Sequence, residues 1–134
     1  AIGVDEFVGS QYGSRIVQLV VSDTTLAVGD GQARFNIPPE MNGWDLIDAD
    51  AAVDTNTSAA VGPTFQIRNV TDAADMLSTK ITIDTSEVTS YTAATLPVID
   101  TNNDSVATGD QIAIDIDSAG TSSGLRVILT FRLP

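Results

Sequence analysis

The chain has 134 residues, the size of one ordinary domain, and its 18 acidic against 6 basic side chains give a formal net charge of −12. This charge opposes binding to nucleic acid and to anionic membrane surfaces, and the absence of histidine and cysteine removes the usual general base, the commonest metal ligand and all disulfides. No apolar run is long enough for a membrane helix and no basic-then-apolar leader opens the chain. We therefore expect no cofactor, no catalytic residue, and neither a nucleic acid nor a membrane as partner.

Short alternating segments, separated by Gly, Asn, Asp or Pro, run along the chain and are typical of β-strands and turns. Residues 1–14 contain three glycines and are predicted to form a flexible N-terminal arm, followed by one domain over 15–134. The first predicted strand begins at Arg15 and places Val17, Leu19 and Val21 on one face. After a glycine-rich turn, Ala33 to Ile37 alternates cleanly until Pro38-Pro39 ends the pairing.

The third strand follows the tight-turn signal Asn42-Gly43 and changes parity near its start. Its apolar positions begin with Trp44 and Leu46 and resume on the other parity at Ile47, Ala49, Ala51 and Val53. Because one extra residue reverses the alternation of a strand, this change predicts a β-bulge near Leu46.

The second half of the chain alternates less regularly until its end. A polar loop over 54–62 precedes a fourth strand with Phe65 and Ile67, and a fifth runs from Leu77 to Ile83. Residues 71–76 between them are compatible with one helical turn. Within 85–110 two interpretations stay open, a short strand around Tyr91 or a helical turn near Pro97 and Ile99. The last two strands have the clearest alternation, over 112–117 and 125–133.

Seven or eight short strands with several connections too long for hairpins favour an all-β, antiparallel two-sheet sandwich that is jelly-roll-like. The residues on the inward parity form the predicted core. They are Val17, Leu19, Phe35, Ile37, Phe65, Ile67, Ile81, Ile83, Ile112, Ile114, Ile116, Val127, Leu129 and Phe131.

The best candidate for a metal site is weak. Asp100, Asn102 and Asp104 occupy the first, third and fifth positions of a calcium-loop pattern. Ser105 replaces the glycine of the sixth position and Gln111 the bidentate glutamate of the twelfth. An ordinary polar turn is therefore the favoured interpretation, with a calcium site as the alternative.

Several motifs spread over nearly the whole chain resemble those of small virion proteins of tailed bacteriophages. These motifs are Asn36-Ile37-Pro38 with Asn42-Gly43, the segments 65–72, 75–78 and 80–84, Thr108-Gly109-Asp110, and the final Phe131-Arg132-Leu133-Pro134. The resemblance implies a jelly-roll domain that assembles as a homotrimer and serves as a capsid decoration (cement) protein, or as the distal domain of a head or tail fibre. It implies no catalytic residue.

The length of the chain favours decoration over a fibre, since only the short arm precedes the first strand. We therefore expect the protein on the outer surface of the phage head, bound to the major capsid protein and to copies of itself. A fibre-tip module that binds a host-surface carbohydrate is the alternative. Its stacking surface would be formed by Trp44, Phe35, Phe65 and Phe131, but the three phenylalanines lie on core-parity positions, and packing is the favoured explanation for this set. The arm residues Ile2, Val4, Phe7 and Val8 are candidates for capsid binding, and the outward hydrophobic residues Ile16, Val20 and Ile128 are candidates for the subunit interface.

Overall fold

The computed structural model describes residues 13–134, which form ten β-strands and two single-turn 3-10 helices. The strands are β1 (Ser14–Thr25), β2 (Gly29–Asn36), β3 (Asp45–Asn56), β4 (Thr64–Asn69), β5 (Ala74–Asp75), β6 (Leu77–Thr79), β7 (Ile81–Thr82), β8 (Val98–Ile99), β9 (Gln111–Ser118) and β10 (Ser122–Arg132). The 3-10 helices span Pro39–Met41 and Ser90–Thr92. Across 13–134 no helix has both the length and the apolar character needed to span a bilayer.

Two antiparallel sheets pack face to face as a sandwich. The first has the strand order β1-β10-β3, and the second has the order β2-β9-β4, with β5 and β7 pairing with different parts of β4. Strands β6 and β8 form a small separate sheet. Successive strands β1 to β4 alternate between the two large sheets, and β9 and β10 each enter the middle of one, which is the interleaved order of a jelly roll. The predicted all-β sandwich is confirmed.

The predicted core residues are buried, apart from three that are partly buried. Val17, Leu19 and Phe35 belong to the two strands that end the sheets on one side, and they pack against the core from there. The phenyl rings of Phe35 and Phe131 meet edge to face across the sandwich, with centroids 6.2 Å apart. Further buried hydrophobic side chains come from turns and irregular segments that alternation does not reveal, namely Leu26, Met41, Trp44, Met76 and Val106.

The predicted β-bulge in β3 is confirmed, one residue later than expected. Leu46 pairs with Phe131 and Asp48 pairs with Thr130, so Ile47 is the extra residue. Leu46 and Ala49 therefore both point into the core, while Ile47, predicted inward, is exposed. The last strand, predicted over 125–133, ends one residue earlier, because β10 ends at Arg132 and the Leu133 side chain is exposed.

The predicted fifth strand is split in two by a buried glutamine. The amide of Gln66 accepts a hydrogen bond from the backbone N–H of Leu77 and donates one to its carbonyl, at 3.2 and 3.1 Å. Because this side chain takes the place of ladder bonds, β6 does not pair with β4 and joins β8 instead, whereas β7 pairs with β4. A glutamine on a strand gives no sign of this role in the sequence.

The irregular segments also differ from expectation. The helical turn predicted over 71–76 is absent, because Ala73 has a positive φ of 55° and the chain turns back so that Ala74 and Asp75 pair with β4. Tyr91 lies in a 3-10 helix, and the short strand of this region is Val98–Ile99. Both elements predicted as alternatives for 85–110 therefore occur, but their positions are reversed. The helical turn contains Tyr91, and the short strand contains Ile99.

A buried carboxylate holds the start of β2 against β9. Gly31 has a positive φ of 61° at an irregularity of the β2–β9 pairing, and its N–H donates to Asp115 Oδ1 at 2.8 Å. Burial raises the pKa of Asp115; the Gly31 hydrogen bond partly offsets this, and the nearby carboxylates of Asp30, Asp117 and Asp75 raise it further. The folded state therefore holds this group's proton more tightly than the unfolded chain does.

Replacing Phe131 and Phe35 by alanine tests how strongly each side chain contributes to the stability of the core. Phe131→Ala should lower the free energy of unfolding by about 3–5 kcal/mol, because Phe131 is fully buried, and Phe35→Ala should cost less, because Phe35 is partly exposed. Urea unfolding measures both, with Tyr91→Ala as a control at an exposed position, expected within about 0.5 kcal/mol of the parent protein. Equal losses for Phe131→Ala and Tyr91→Ala would contradict this account of the core.

The raised pKa of Asp115 makes stability depend on pH. Its contribution is fully present below the ordinary value of 3.8 and is lost as the pH rises through the raised folded-state pKa. The free energy of unfolding should therefore increase as the pH is lowered from neutrality towards that window, and Asp115→Asn should flatten the dependence while keeping an acceptor for Gly31. Asp23→Asn, at an exposed position, is the matched control. A slope unchanged by Asp115→Asn would refute the assignment.

Candidate functional site

The arm residues predicted to bind the capsid, Ile2, Val4, Phe7 and Val8, lie outside the described residues. The described chain starts at Gly13, whose carbonyl accepts a hydrogen bond from the Leu133 N–H at 2.6 Å. A shallow cleft of about 180 Å³, lined by Gly13, Ser14, Arg132 and Leu133, opens at this point. The start of β1 and the end of β10 therefore share one corner of the sandwich.

The three candidates for the subunit interface share the outer face of the β1-β10-β3 sheet, two on the end strand β1 and one on the central strand β10. Ile16 and Val20 on β1 are 67% and 63% exposed, while Ile128 on β10 is partly buried. Ile128 lies between Gln18 and Asp50 in the register of the sheet. The exposed apolar surface is therefore concentrated on β1.

The outer face of β3 carries crowded carboxylates. Burial raises the pKa of Asp50, a hydrogen bond from the Ser90 hydroxyl at 2.9 Å opposes this, and the charge of Asp48 raises it further. Ser90 also accepts a hydrogen bond from the Ala51 N–H at 3.0 Å. This side of the sheet is consequently both negatively charged and covered by the segment that contains Ser90.

The segment of the calcium-loop pattern is a hydrogen-bonded polar turn. The Asp100 carboxylate accepts from the Asn102 N–H at 3.0 Å and from the Asn103 side-chain amide at 2.9 Å. Burial raises the pKa of Asp104, and the carboxylates of Asp45 and Asp100 add to the rise. Among residues 13–134 no three acidic or histidine side chains are grouped so as to hold a metal ion.

Three of the motifs that carry the phage resemblance meet at one end of the sandwich. The buried Asn69 donates to Asp110 Oδ2 at 2.9 Å and to Asp72 Oδ2 at 3.2 Å, and the Thr108 N–H donates to Asn42 Oδ1 at 3.0 Å. Further bonds join Asn36 to Gly109, Ile37 to Asp110 and Gln111 to Thr71. Residues from these three motifs thus fix the turns between strands, so their shared role is structural.

The aromatic residues considered for carbohydrate stacking are largely unavailable for that purpose. Trp44, Phe65 and Phe131 are buried, and Phe35 is partly buried against the core. A second cleft, of about 550 Å³, is lined in part by Asp84 and Glu87. Both carboxylates already accept hydrogen bonds within the fold, from the Ala94 N–H at 2.8 Å and the Thr92 hydroxyl at 2.6 Å.

Sequence reasoning gave no sign of which basic residues are paired in the fold. Three ion pairs join Arg68 to Asp75, Lys80 to Asp117 and Arg126 to Asp54. The other three basic residues, Arg15, Arg34 and Arg132, make no ion pair with any residue of 13–134. Arg15 pairs with Phe131, Arg132 pairs with Asp45, and Arg34 pairs with Ala113 in the other sheet. Because Phe35 and Phe131 both point into the core, the neighbouring Arg34 and Arg132 point to opposite outer faces of the sandwich. Partners on other strands decide which basic residues form ion pairs, so spacing along the chain gives no signal.

Comparison with known proteins adds little to these observations. No protein-family model and no curated protein matches the chain. Among solved structures, the chain is similar to one described as the cyanophage Pam1 capsid asymmetric unit, with 16% identity, a TM-score of 0.44, and coverage of 98% of this chain and 94% of that chain. At this identity and TM-score the likeness carries no argument, and the fold assignment depends on the strand order alone.

Proposed function

We propose that this chain is a structural protein of a tailed-bacteriophage virion, a capsid decoration (cement) protein without catalytic activity that binds the outside of the head. The observation that carries the proposal is that three of the phage-like motifs meet in one hydrogen-bonded region around Asn69 and Asp110. Motifs scattered along the chain act together to hold the turns of a jelly roll. This supports a shared fold with the small virion proteins, which is what their resemblance implies.

The proposed mechanism of stabilisation is thermodynamic linkage. A protein that binds the closed shell, and not its separated subunits, adds its binding free energy to the stability of the shell. The domain suits this role because its own stability comes from a buried apolar core between two antiparallel sheets, and the sequence contains no cysteine that could form a disulfide and no histidine that could titrate. Its net charge of −12 keeps unbound copies soluble.

Attachment to the major capsid protein is assigned to the arm, through Ile2, Val4, Phe7 and Val8. Its apolar side chains and backbone groups would be satisfied together if the arm added a strand to a neighbouring sheet, and this mode of recognition requires only an extended segment and a free edge. The homotrimer belongs to the same proposal, with Ile16, Val20 and Ile128 as candidates for contact between copies.

Composition of purified particles tests the proposal. In the phage that encodes this chain, we expect the protein to copurify with heads in a fixed high ratio to the major capsid protein. Heads that lack it should open at a lower temperature, and adding back the purified protein should restore the resistance. Recovery in a few copies with tails, together with binding to a host glycan, would favour the fibre-tip alternative instead.

The role of the arm is tested by deleting residues 1–9. The deletion should leave the domain folded, since none of these residues is needed for the pairing of β1 to β10, and should strongly lower occupancy on heads. A replacement of Ile2, Val4, Phe7 and Val8 by serine, with the length unchanged, separates apolar contact from mere chain length. Full occupancy of heads by both variants would remove the arm from the mechanism.

A further inference from the structure

The sequence contains one Asn-Gly pair and one Asp-Gly pair, Asn42-Gly43 and Asp30-Gly31. Such pairs are chemically labile, because glycine has no Cβ to keep the preceding side chain away from its backbone nitrogen. At the first pair, the Gly43 nitrogen attacks Cγ of Asn42, its proton leaves with the side-chain amide as ammonia, and a five-membered succinimide ring forms. Water then opens the ring at either carbonyl, which gives aspartate or isoaspartate.

Asn42 and Gly43 are the central residues of a type II turn that keeps the two reacting atoms apart. The φ and ψ of Asn42 are −60° and 126°, the φ of Gly43 is 81°, and the Trp44 N–H donates to the Met41 carbonyl at 3.1 Å. In a succinimide ring the Gly43 nitrogen lies on the same side of the Cα–C bond as Cβ of Asn42, whereas the extended ψ rotates it away. The turn must therefore open before the ring can form.

Both reacting groups are also bonded to one neighbouring segment. The Gly43 N–H donates to the Val106 carbonyl at 2.8 Å, and Asn42 Oδ1 accepts from the Thr108 N–H at 3.0 Å. Attack requires the Gly43 nitrogen to lose its proton and the amide carbon of Asn42 to turn towards that nitrogen. The segment 106–108 thus restrains the attacking nitrogen and the attacked carbon together.

This turn is joined to the core, so its opening costs free energy. Trp44 is 7% exposed, and its carbonyl accepts from the N–H of Val106, which is 2% exposed, at 2.9 Å. The Leu46 N–H donates to the Asp104 carbonyl at 2.9 Å and continues the same connection. Opening the turn would break these bonds and bring buried apolar side chains into water, so the open state is a minor one.

The Asp30-Gly31 pair is restrained in the same way, by a side chain. The Gly31 N–H donates to Asp115 Oδ1 at 2.8 Å, and Asp115 is 6% exposed. Attack of the Gly31 nitrogen on Cγ of Asp30 would release water instead of ammonia, and opening of the ring would again give isoaspartate. In both labile pairs the attacking nitrogen is therefore held by a hydrogen bond of the fold, and in this one a substitution can remove the acceptor.

We propose that Asn42-Gly43 and Asp30-Gly31 are modification sites that the fold holds unreactive through the hydrogen bond to the glycine nitrogen, and that each forms isoaspartate only after its turn has opened. The inference does not rest on the proposed function, because it concerns the chemical lifetime of the domain in any setting.

The two products at position 42 have different consequences for the fold. Isoaspartate carries the main chain through Cβ and Cγ and so adds one atom to the turn, which prevents the Met41–Trp44 bond from forming again and keeps Trp44 from its buried position. Aspartate leaves the main chain unchanged and still offers an acceptor to the Thr108 N–H. Formation of isoaspartate therefore makes an opening of this turn irreversible.

The test follows loss of the Asn42 amide by peptide mass spectrometry in the full-length chain, at mildly alkaline pH, with and without urea. Deamidation should be at least about tenfold slower in the folded protein than in the unfolded one, a factor that an opening free energy of about 1.4 kcal/mol already gives. A free peptide of residues 36–48, incubated in both solutions, corrects for any direct effect of urea on the reaction.

The products are compared after the urea is removed. Trp44 is the only tryptophan of the sequence, so its fluorescence reports on this turn. Chains with aspartate at position 42 should recover the native fluorescence, as should the Asn42→Asp variant made directly, whereas chains with isoaspartate should not.

A pair of substitutions at Asp115 tests the hydrogen bond itself. Asp115→Ala removes the acceptor of the Gly31 N–H and should speed the formation of isoaspartate at Asp30, measured by enzymatic methylation of isoaspartate. Asp115→Asn keeps an acceptor and should leave the rate low. The native fluorescence of Trp44 shows that each variant is folded, and the Asn42 comparison decides alone if Asp115→Ala does not fold.

Three results would overturn the inference. They are equal rates of Asn42 deamidation in the folded protein and the free peptide, full recovery of native fluorescence by chains with isoaspartate at position 42, and equal rates at Asp30 in the two folded Asp115 variants. None of these measurements involves a phage head, so the inference and the proposed function can fail separately.

Discussion

The pairing of β10 between β1 and β3 is the interaction on which the rest of the fold depends. β10 is the middle strand of its sheet, and its inward residues Leu125, Val127, Leu129 and Phe131 are completely buried. Without it, β1 and β3 would have no common partner in that sheet, and the second sheet would have no apolar layer to pack against. The same pairing fixes the direction of the exposed residues Ile16 and Val20 on β1. Stability and the position of these candidate interface residues therefore depend on the same strand.

The regular strands could be predicted from the sequence because each has one solvent-exposed face and one face turned towards the core. Alternation identified β1, β2, β9 and β10, and the change of parity at Leu46 identified the bulge in β3. Alternation reports only the burial of successive side chains, and so it does not detect a polar side chain that replaces backbone pairing. Gln66, which bonds both backbone groups of Leu77, is the clearest case, and it explains why the expected fifth strand became two.

The candidate surfaces were only partly predictable for a related reason. Ile16 and Val20 stood out as apolar residues on an outward parity, and both are exposed. The outer edge of β1 could not be predicted in this way, because its residues Val17 and Leu19 have an ordinary core pattern, and only the strand order shows that β1 ends its sheet among the described residues. The alternation of polar and apolar residues along a strand gives the direction of each side chain. The exposure of a strand edge depends instead on the order of the strands in the sheet.

The pairing of Ser14 with Arg132 also has a kinetic consequence. β1 finds its partner only after nearly the whole described chain has closed into a loop, and such long-range closures slow folding because their entropic cost precedes their contacts. Until β1 has paired with β10, its apolar residues and unpaired backbone groups can associate with other chains, as in any slowly folding β-protein. Mutual repulsion between chains of net charge −12 opposes those encounters. The negative charge of the chain therefore opposes association between chains most strongly during folding, before β10 has paired with its neighbouring strands.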